Sequence, residues 1–151
     1  MDAMVWITGN VGTEVESRTV RDEFLYASFR LASTPRSWRA GEWADGETTW
    51  LGVTCSKTLA KNVLASIKKG DPVVVVGRLR TSRWQDAEKG TQSRLMIEAI
   101  AVGHDLNGGV ASFQRINRPT GDERDAVAEL IQATEGQGDD SGDVDAGTEA
   151  A

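Results

Sequence analysis

The stretch DPVVVVGRLRTSRW, residues 71–84, decides how the rest of the chain is read. Four valines are followed by a glycine, and then basic and apolar residues alternate up to a tryptophan. β-Branched side chains between Pro72 and Gly77 predict a strand, because they pack well on a pleated, half-buried surface. A period of two sends Arg78, Arg80, Ser82 and Trp84 to one face and Leu79 and Thr81 to the other. Gly77, in the middle, predicts a bend or bulge where two backbones come close. Two readings stand at this point. The basic face serves a polyanion, or it is a solvated sheet face carrying one exposed aromatic.

Working outward, the period changes immediately upstream. In residues 57–69 the apolar positions Leu59, Val63 and Ile67, with Ala60 and Leu64 beside them, form one face of a helix. Ser56 or Thr58 suits its N-cap, while Lys68, Lys69 and Gly70 suit its C-terminal end. Before it, ETTWLGVTC (47–55) reads as a strand, with Trp50 and Thr54 opposite Leu51, Val53 and Cys55. Residues 35–47 read as a loop from Pro35, Gly41 and Gly46, and they hold Arg36, Trp38, Arg39 and Trp43. Two large aromatics on a polar loop are costly to leave in water without a use. The alternative is that they fold back on the body as plugs, a reading that suits Trp43 better than Trp38.

FLYASFRLAST (24–34) is a further strand, with Leu25, Ala27, Phe29 and Leu31 on one face and Tyr26, Ser28 and Arg30 on the other. A short segment, 14–20, leads into it through the turn-compatible Arg21-Asp22-Glu23. Residues 3–8 form the first strand, with Met4, Trp6 and Thr8 opposite Val5 and Ile7. Downstream, a turn at Glu88-Lys89-Gly90 leads back into RLMIEAIAV (94–102). There the alternation breaks between Ile97 and Ile100, which predicts another bulge. The order is three strands, one helix, two strands. With no βαβ repetition, the sheet is expected to be antiparallel. This order matches the mainly β OB-fold, a five-stranded antiparallel Greek-key barrel with its helix between the third and fourth strands. A small antiparallel sandwich also fits.

Composition narrows the function classes. Cys55 is the single cysteine and His104 the single histidine, so neither a disulfide framework nor a thiolate metal cluster is available. A reducing, cytoplasmic setting is expected. No signal-peptide pattern marks the start, and no segment approaches membrane-spanning length. Glycine-rich phosphate loops, GxSxG and metal-ligand spacings are missing, so catalysis is not expected and no cofactor is implied. The net charge of −6 is unevenly placed: residues 1–118 hold 16 Lys/Arg and 13 Asp/Glu, a balance of +3, and residues 119–151 hold one Arg and 10 Asp/Glu, a balance of −9. A mildly basic body, 1–118, is followed by a strongly acidic tail, 119–151, that reads as largely disordered. Within that tail a short helix over 123–133 is expected. It is either a partner-binding or back-folding segment or a transient helix that is marginal alone.

Tryptophans interleaved with arginines suit a nucleic acid single strand, which offers base faces to indoles and phosphates to guanidiniums. Carbohydrate binding also uses exposed tryptophans, and the arginines Arg36, Arg39, Arg78, Arg80, Arg83 and Arg94 tip the balance towards nucleic acid. Arg30, on the polar face of its strand, joins them. At these residues the chain resembles the bacterial single-stranded DNA-binding proteins. The matching pieces are ITGNVG (7–12), FRLASTPRSW (29–38), TTWLGVTC (48–55), LAKNV (59–63) and KKGDPVVVVGRLRTSRW (68–84). The resemblance implies an OB-fold, a homotetramer and sequence-independent coating of single-stranded DNA in replication, recombination or repair. It places base-stacking tryptophans at Trp38, Trp50 and Trp84, basic strand residues at Arg80 and Arg83, and loop cations at Arg36 and Arg39.

Two departures from the family pattern stand out. Ser56 occupies a place where a further stacking aromatic is often found. The chain ends DVDAGTEAA, without the hydrophobic tip through which relatives recruit replication enzymes, and so resembles the shorter second copy found in some bacteria. Recruitment through such a tip is therefore not carried over. The rival reading is an OB-fold interaction module that scaffolds a nucleoprotein complex, its tryptophans in protein contacts.

Overall fold

The structure, a computed structural model, describes residues 1–116. The chain divides into two units after Ala111, and every strand and helix among the described residues lies in the first, Met1–Ala111. The acidic segment 119–151 and the helix expected over 123–133 lie outside the described residues.

In chain order the elements are β1 (Met4–Val11), β2 (Glu16–Val20), β3 (Phe24–Ser33), β4 (Arg36–Arg39), β5 (Glu42–Asp45), β6 (Thr49–Ser56), α1 (Lys57–Ser66), β7 (Pro72–Asp86) and β8 (Gly90–His104). One sheet runs β1-β7-β8-β6-β3-β2, and β1 also pairs with β3. That second pairing closes a five-stranded barrel, with β2 added along the free part of β3. The expected all-antiparallel sheet needs one correction: β6 and β8 pair in parallel, Val53 level with Ile97. A closed ring of five strands cannot alternate direction at every step, so one neighbouring pair must run the same way. The other four pairs of the ring are antiparallel.

Inward-facing residues recur at every second position. Ala27, Phe29 and Leu31 of β3, Val53 and Cys55 of β6, Val73 and Val75 of β7, and Ile97 of β8 are all buried. They meet Ala60, Val63 and Ile67 from α1 and its C-terminal end, three residues spaced for one helical face. Cys55 is a core thiol as expected, its pKa pushed up to about 11 by burial.

The helix is shorter than the sequence suggests. It ends at Ser66, and Ile67 already has extended backbone while still donating its N–H to the Val63 carbonyl. Ser56 occupies the N-cap position, but its side chain makes no capping hydrogen bond.

The two bulges expected in the sequence are one irregularity. Gly77 pairs with Ala99 and Val76 with Ala101, so Ile100 is the extra residue on β8. A side chain at Gly77 would stand 2.7 Å from Ile97 Cγ2 and collide with the Glu98 carbonyl, which is why glycine occupies the crossing.

Residues 35–47 are not an irregular loop. β4 and β5 form an antiparallel hairpin, Arg36 opposite Asp45 and Trp38 opposite Trp43. Its two-residue turn, Ala40-Gly41, has φ of 52° and 83°, the paired left-handed geometry that matches the twist of a tight hairpin. Every residue of both strands is exposed, so no hydrophobic alternation announced them.

Candidate nucleic-acid interface

The outer face of the barrel is built by strand register. On β3 and β6, Arg30 lies opposite Gly52 and Ala32 opposite Trp50. Gly52 is level with Met96 on β8, and carrying that parallel register back two residues sets Trp50 level with Arg94. On β7 and β8, Ser82 lies opposite Arg94 and Trp84 opposite Gln92. Cross-strand partners share a face and every second residue returns to it. Arg30, Trp50, Arg94 and Trp84 therefore stand on one face of four neighbouring strands, cation and indole in alternation.

Side-chain contacts follow the same order. The Arg30 guanidinium carbon sits 5.3 Å from the Trp50 ring centroid, and that of Arg94 sits 5.3 Å from the Trp84 centroid. At exposed sites such a contact contributes about 0.5–1 kcal/mol, enough to orient both partners without burying them. Trp50 is 47% exposed and Trp84 43%, so each indole keeps open surface beside its cation.

Trp50 has a built seat. A Cβ added to Gly12 would stand 2.9 Å from its Cη2, so the ring rests on bare backbone just past β1. The same segment grips Arg30, because the Gly12 N–H donates to the Arg30 carbonyl (2.7 Å) and the Arg30 N–H donates to Thr13 Oγ1 (3.0 Å).

The hairpin holds the third expected tryptophan. Its base is closed by the hydroxyls of Thr34 and Thr48, 2.7 Å apart, and by the Gly46 N–H donating to the Pro35 carbonyl (2.7 Å). Trp38 and Trp43 meet edge to face, centroids 5.5 Å apart and planes at 72°. Each is 59% exposed, so neither is a plug in the body of Met1–Ala111. Trp43, the weaker candidate by sequence, stands on the same footing as Trp38. The signal in the sequence is the near-mirror arrangement of RSWR and EWAD about Ala40-Gly41. Arg36 is engaged by Asp45 (Nε to Oδ1, 2.8 Å), and Arg39 lies opposite Glu42.

Arg78 and Arg80 fall in a different setting. Arg80 Nη1 lies 2.9 Å from Asp2 Oδ1 and its Nε 3.3 Å from Glu98 Oε2. Arg78 Nε lies 3.3 Å from Asp2 Oδ2, with Nη1 3.9 Å from Glu98 Oε1. The hydrogen bond to Asp2, and then that to Glu98, raise the pKa of Arg80 above its usual value. Two cations face two carboxylates, and the cluster is neutral. Arg83 lies opposite Ser93, on the other face of the β7–β8 ribbon from Trp84. Among the described residues, no carboxylate lies within ion-pair distance of Arg30, Arg83 or Arg94.

His104 Nε2 lies 3.2 Å from Asp71 Oδ2, joining the end of β8 to the turn before β7. Asp71 also accepts the Lys68 N–H (2.9 Å), and that bond, then the His104 contact, hold its pKa below the usual value. These are fastenings of the fold. No group of three His, Cys, Asp or Glu side chains that could hold a metal ion occurs among the described residues. No helix among them is long and apolar enough to cross a membrane.

Comparison with known proteins points to one family. Residues 3–104 match the model of the single-strand binding protein family. A Streptomyces avermitilis protein named single-stranded DNA-binding protein 2 is 40% identical over 123 residues, covering 80% of this chain and 77% of that protein. The crystal structure of the small single-stranded DNA-binding protein from Streptomyces coelicolor superposes with a TM-score of 0.65 at 36% identity, covering 72% of this chain and 99% of that one. The second single-stranded DNA-binding protein of Mycobacterium smegmatis superposes with a TM-score of 0.57 at 29% identity, covering 76% and 100%. With its barrel, its alternating arginines and tryptophans and a match across the whole of β1 to β8, the chain belongs to the single-strand binding protein family.

Proposed function

We propose that this protein binds and protects single-stranded DNA without sequence preference, in replication, recombination or repair. The observation that carries the reading is the Arg30–Trp50–Arg94–Trp84 alternation on one face of four strands. Every base has a π-face, so indole stacking is tolerant of sequence, and neighbouring guanidiniums supply the phosphate contacts. The Trp38–Trp43 pair on the hairpin adds stacking surface at the end of β3 and β6. Binding is assigned to residues 1–118, with the acidic segment 119–151 outside it. No bond-making chemistry and no cofactor enter. A DNA-coating role places the protein at the nucleoid, in the cytoplasm.

A homotetramer is part of the proposal. Trp6 is 75% exposed, Met4 lies on the same face of β1, and Val76 is opposite Trp6 on β7. Exposed Ile100, pushed out by the bulge, lies beside them on β8. An apolar surface of this kind suits contact between copies.

The test is a titration of intrinsic tryptophan fluorescence with poly(dT), with duplex DNA of equal length as competitor. Strong quenching and poor competition by duplex are expected, because stacking needs unpaired bases. Equal competition by duplex would reduce the site to a polyanion surface. Absence of quenching would favour a scaffold whose tryptophans serve protein contacts.

A further inference from the structure

The outer face that carries Arg30 and Trp50 does not end with them. Going back along β3 by twos, the same face passes through Ser28 to Tyr26. Tyr26 lies opposite Arg18 of β2 on one side and opposite Ser56 of β6 on the other. Ser56 is exposed and too short to cover a phenol ring, and Arg18 is exposed. As with Arg30 and Trp50 or Arg94 and Trp84, an arginine on one strand neighbours an aromatic on the next, here directly opposite where those pairs are diagonal. Among the described residues no carboxylate lies within ion-pair distance of Arg18. Acidic groups on this part of the face are Glu16, opposite Ser28, and Glu98, level with Thr54 and already held by Arg78 and Arg80. Between them runs a lane floored by the small pair Ser28 and Thr54, which face each other across β3 and β6.

We infer that Tyr26 and Arg18 form a further station for single-stranded DNA, the phenol ring stacking a base and the guanidinium holding a neighbouring phosphate. The inference rests on the proposed DNA-binding function and gives the strand a direction, from Trp50 along β3 towards β2. From Tyr26 to Ala32, the partner of Trp50, is six residues of strand, or roughly 20 Å. That spans about six nucleotides at a stacked rise of about 3.4 Å, and fewer when the strand is stretched.

Tyr26 is the only tyrosine in the chain, so a single label reports on it. Full-length protein carrying 3-fluorotyrosine gives one fluorine resonance. It is titrated with two dT oligomers, one just long enough to quench the tryptophans and one longer by about six nucleotides. The resonance should move with the longer oligomer and stay put with the shorter. Tyr26→Ala should weaken the longer oligomer by about 5- to 150-fold, the range set by the loss of one stacked base, and leave the shorter unchanged. Tyr26→Phe should bind both within about twofold of wild type, since stacking needs the ring and not the hydroxyl. Arg18→Gln should reduce the log-log salt slope for the longer oligomer by about 0.7, one phosphate contact. Quenched tryptophans together with an unmoved fluorine line, and equal affinities for Tyr26→Ala, would overturn this station while leaving the DNA-binding reading intact. Failure of either oligomer to quench the tryptophans would overturn both. If Tyr26→Ala does not fold, the fluorine label and the Arg18→Gln salt slope still decide.

Discussion

Arg80 and Arg94 are diagonal neighbours on the outer face of the β7–β8 ribbon, yet their guanidiniums do opposite things. Arg80 is held between Asp2 and Glu98 in a neutral four-charge cluster with Arg78. Arg94 lies over Trp84 with its charge free of any carboxylate among the described residues. Counting arginines on a strand therefore does not count the cations available to a phosphate. A guanidinium already bonded to carboxylates must break those bonds before it can gain new ones. One resting on an indole is oriented by a weak contact and keeps its donors.

The strongest way to break this contrast is to remove the indoles on the free side. Trp50→Ala and Trp84→Ala should each weaken poly(dT) binding by roughly 1–3 kcal/mol, while Trp6→Phe leaves it unchanged, all read by titration at fixed salt. Undiminished affinity in both alanine variants would mean that the Arg–Trp face is not where DNA lies.

The seat beneath Trp50 comes next. Gly12→Ala puts a methyl where the ring rests and should displace it, losing part of the affinity lost in Trp50→Ala. The two changes should be strongly non-additive in a double-mutant cycle, since both act through one ring. Additive losses would show that Gly12 serves some other purpose.

A salt series sharpens the contrast between the two arginines directly. Arg94→Gln should reduce the log-log salt slope of binding by about 0.7, one phosphate contact on a single strand. Arg80→Gln should leave the slope nearly unchanged, because its charge is already answered by Asp2 and Glu98. Equal changes in the two variants would erase the distinction.

The smallest expected effect lies at the tip of the same ribbon. Asp86 Oδ1 accepts the N–H groups of Glu88 (2.8 Å) and Lys89 (3.0 Å), and these two bonds hold its pKa below the usual carboxylate value. A depressed carboxylate contributes stability that is full above its ordinary pKa and is lost as pH falls through the lowered one. The turn between β7 and β8 should therefore loosen only in that acidic window, seen as faster amide exchange at Glu88 and Lys89 after correction for intrinsic rates. Asp86→Asn should remove most of this pH dependence.

Much of the molecule is legible without any knowledge of the fold. The inward residues of β3, β6, β7 and β8 follow from period-two alternation, and the apolar face of α1 from period 3.6. Even the crossing at Gly77 is visible, as a glycine on one strand and a broken alternation on the other. The hairpin at 36–45 is not legible, because both its strands are exposed and carry no hydrophobic period. Nor is the parallel β6–β8 pair, which arises from closing an odd-numbered ring and leaves no mark on either strand.

For the site, the order of residues alone settles which chemistry is present: indoles and guanidiniums on strands, with a body of balance +3. Residue type and spacing carry that much, since side-chain chemistry and the strand repeat are local properties. Which of these groups act together depends on the folded barrel. Arg30 meets Trp50, Arg94 meets Trp84, and Asp2 meets Arg80 across 78 positions of chain. Charge neutralisation and ring stacking depend on distances of a few ångströms between residues far apart in sequence. Those distances are set by strand register, which exists only once the barrel has closed.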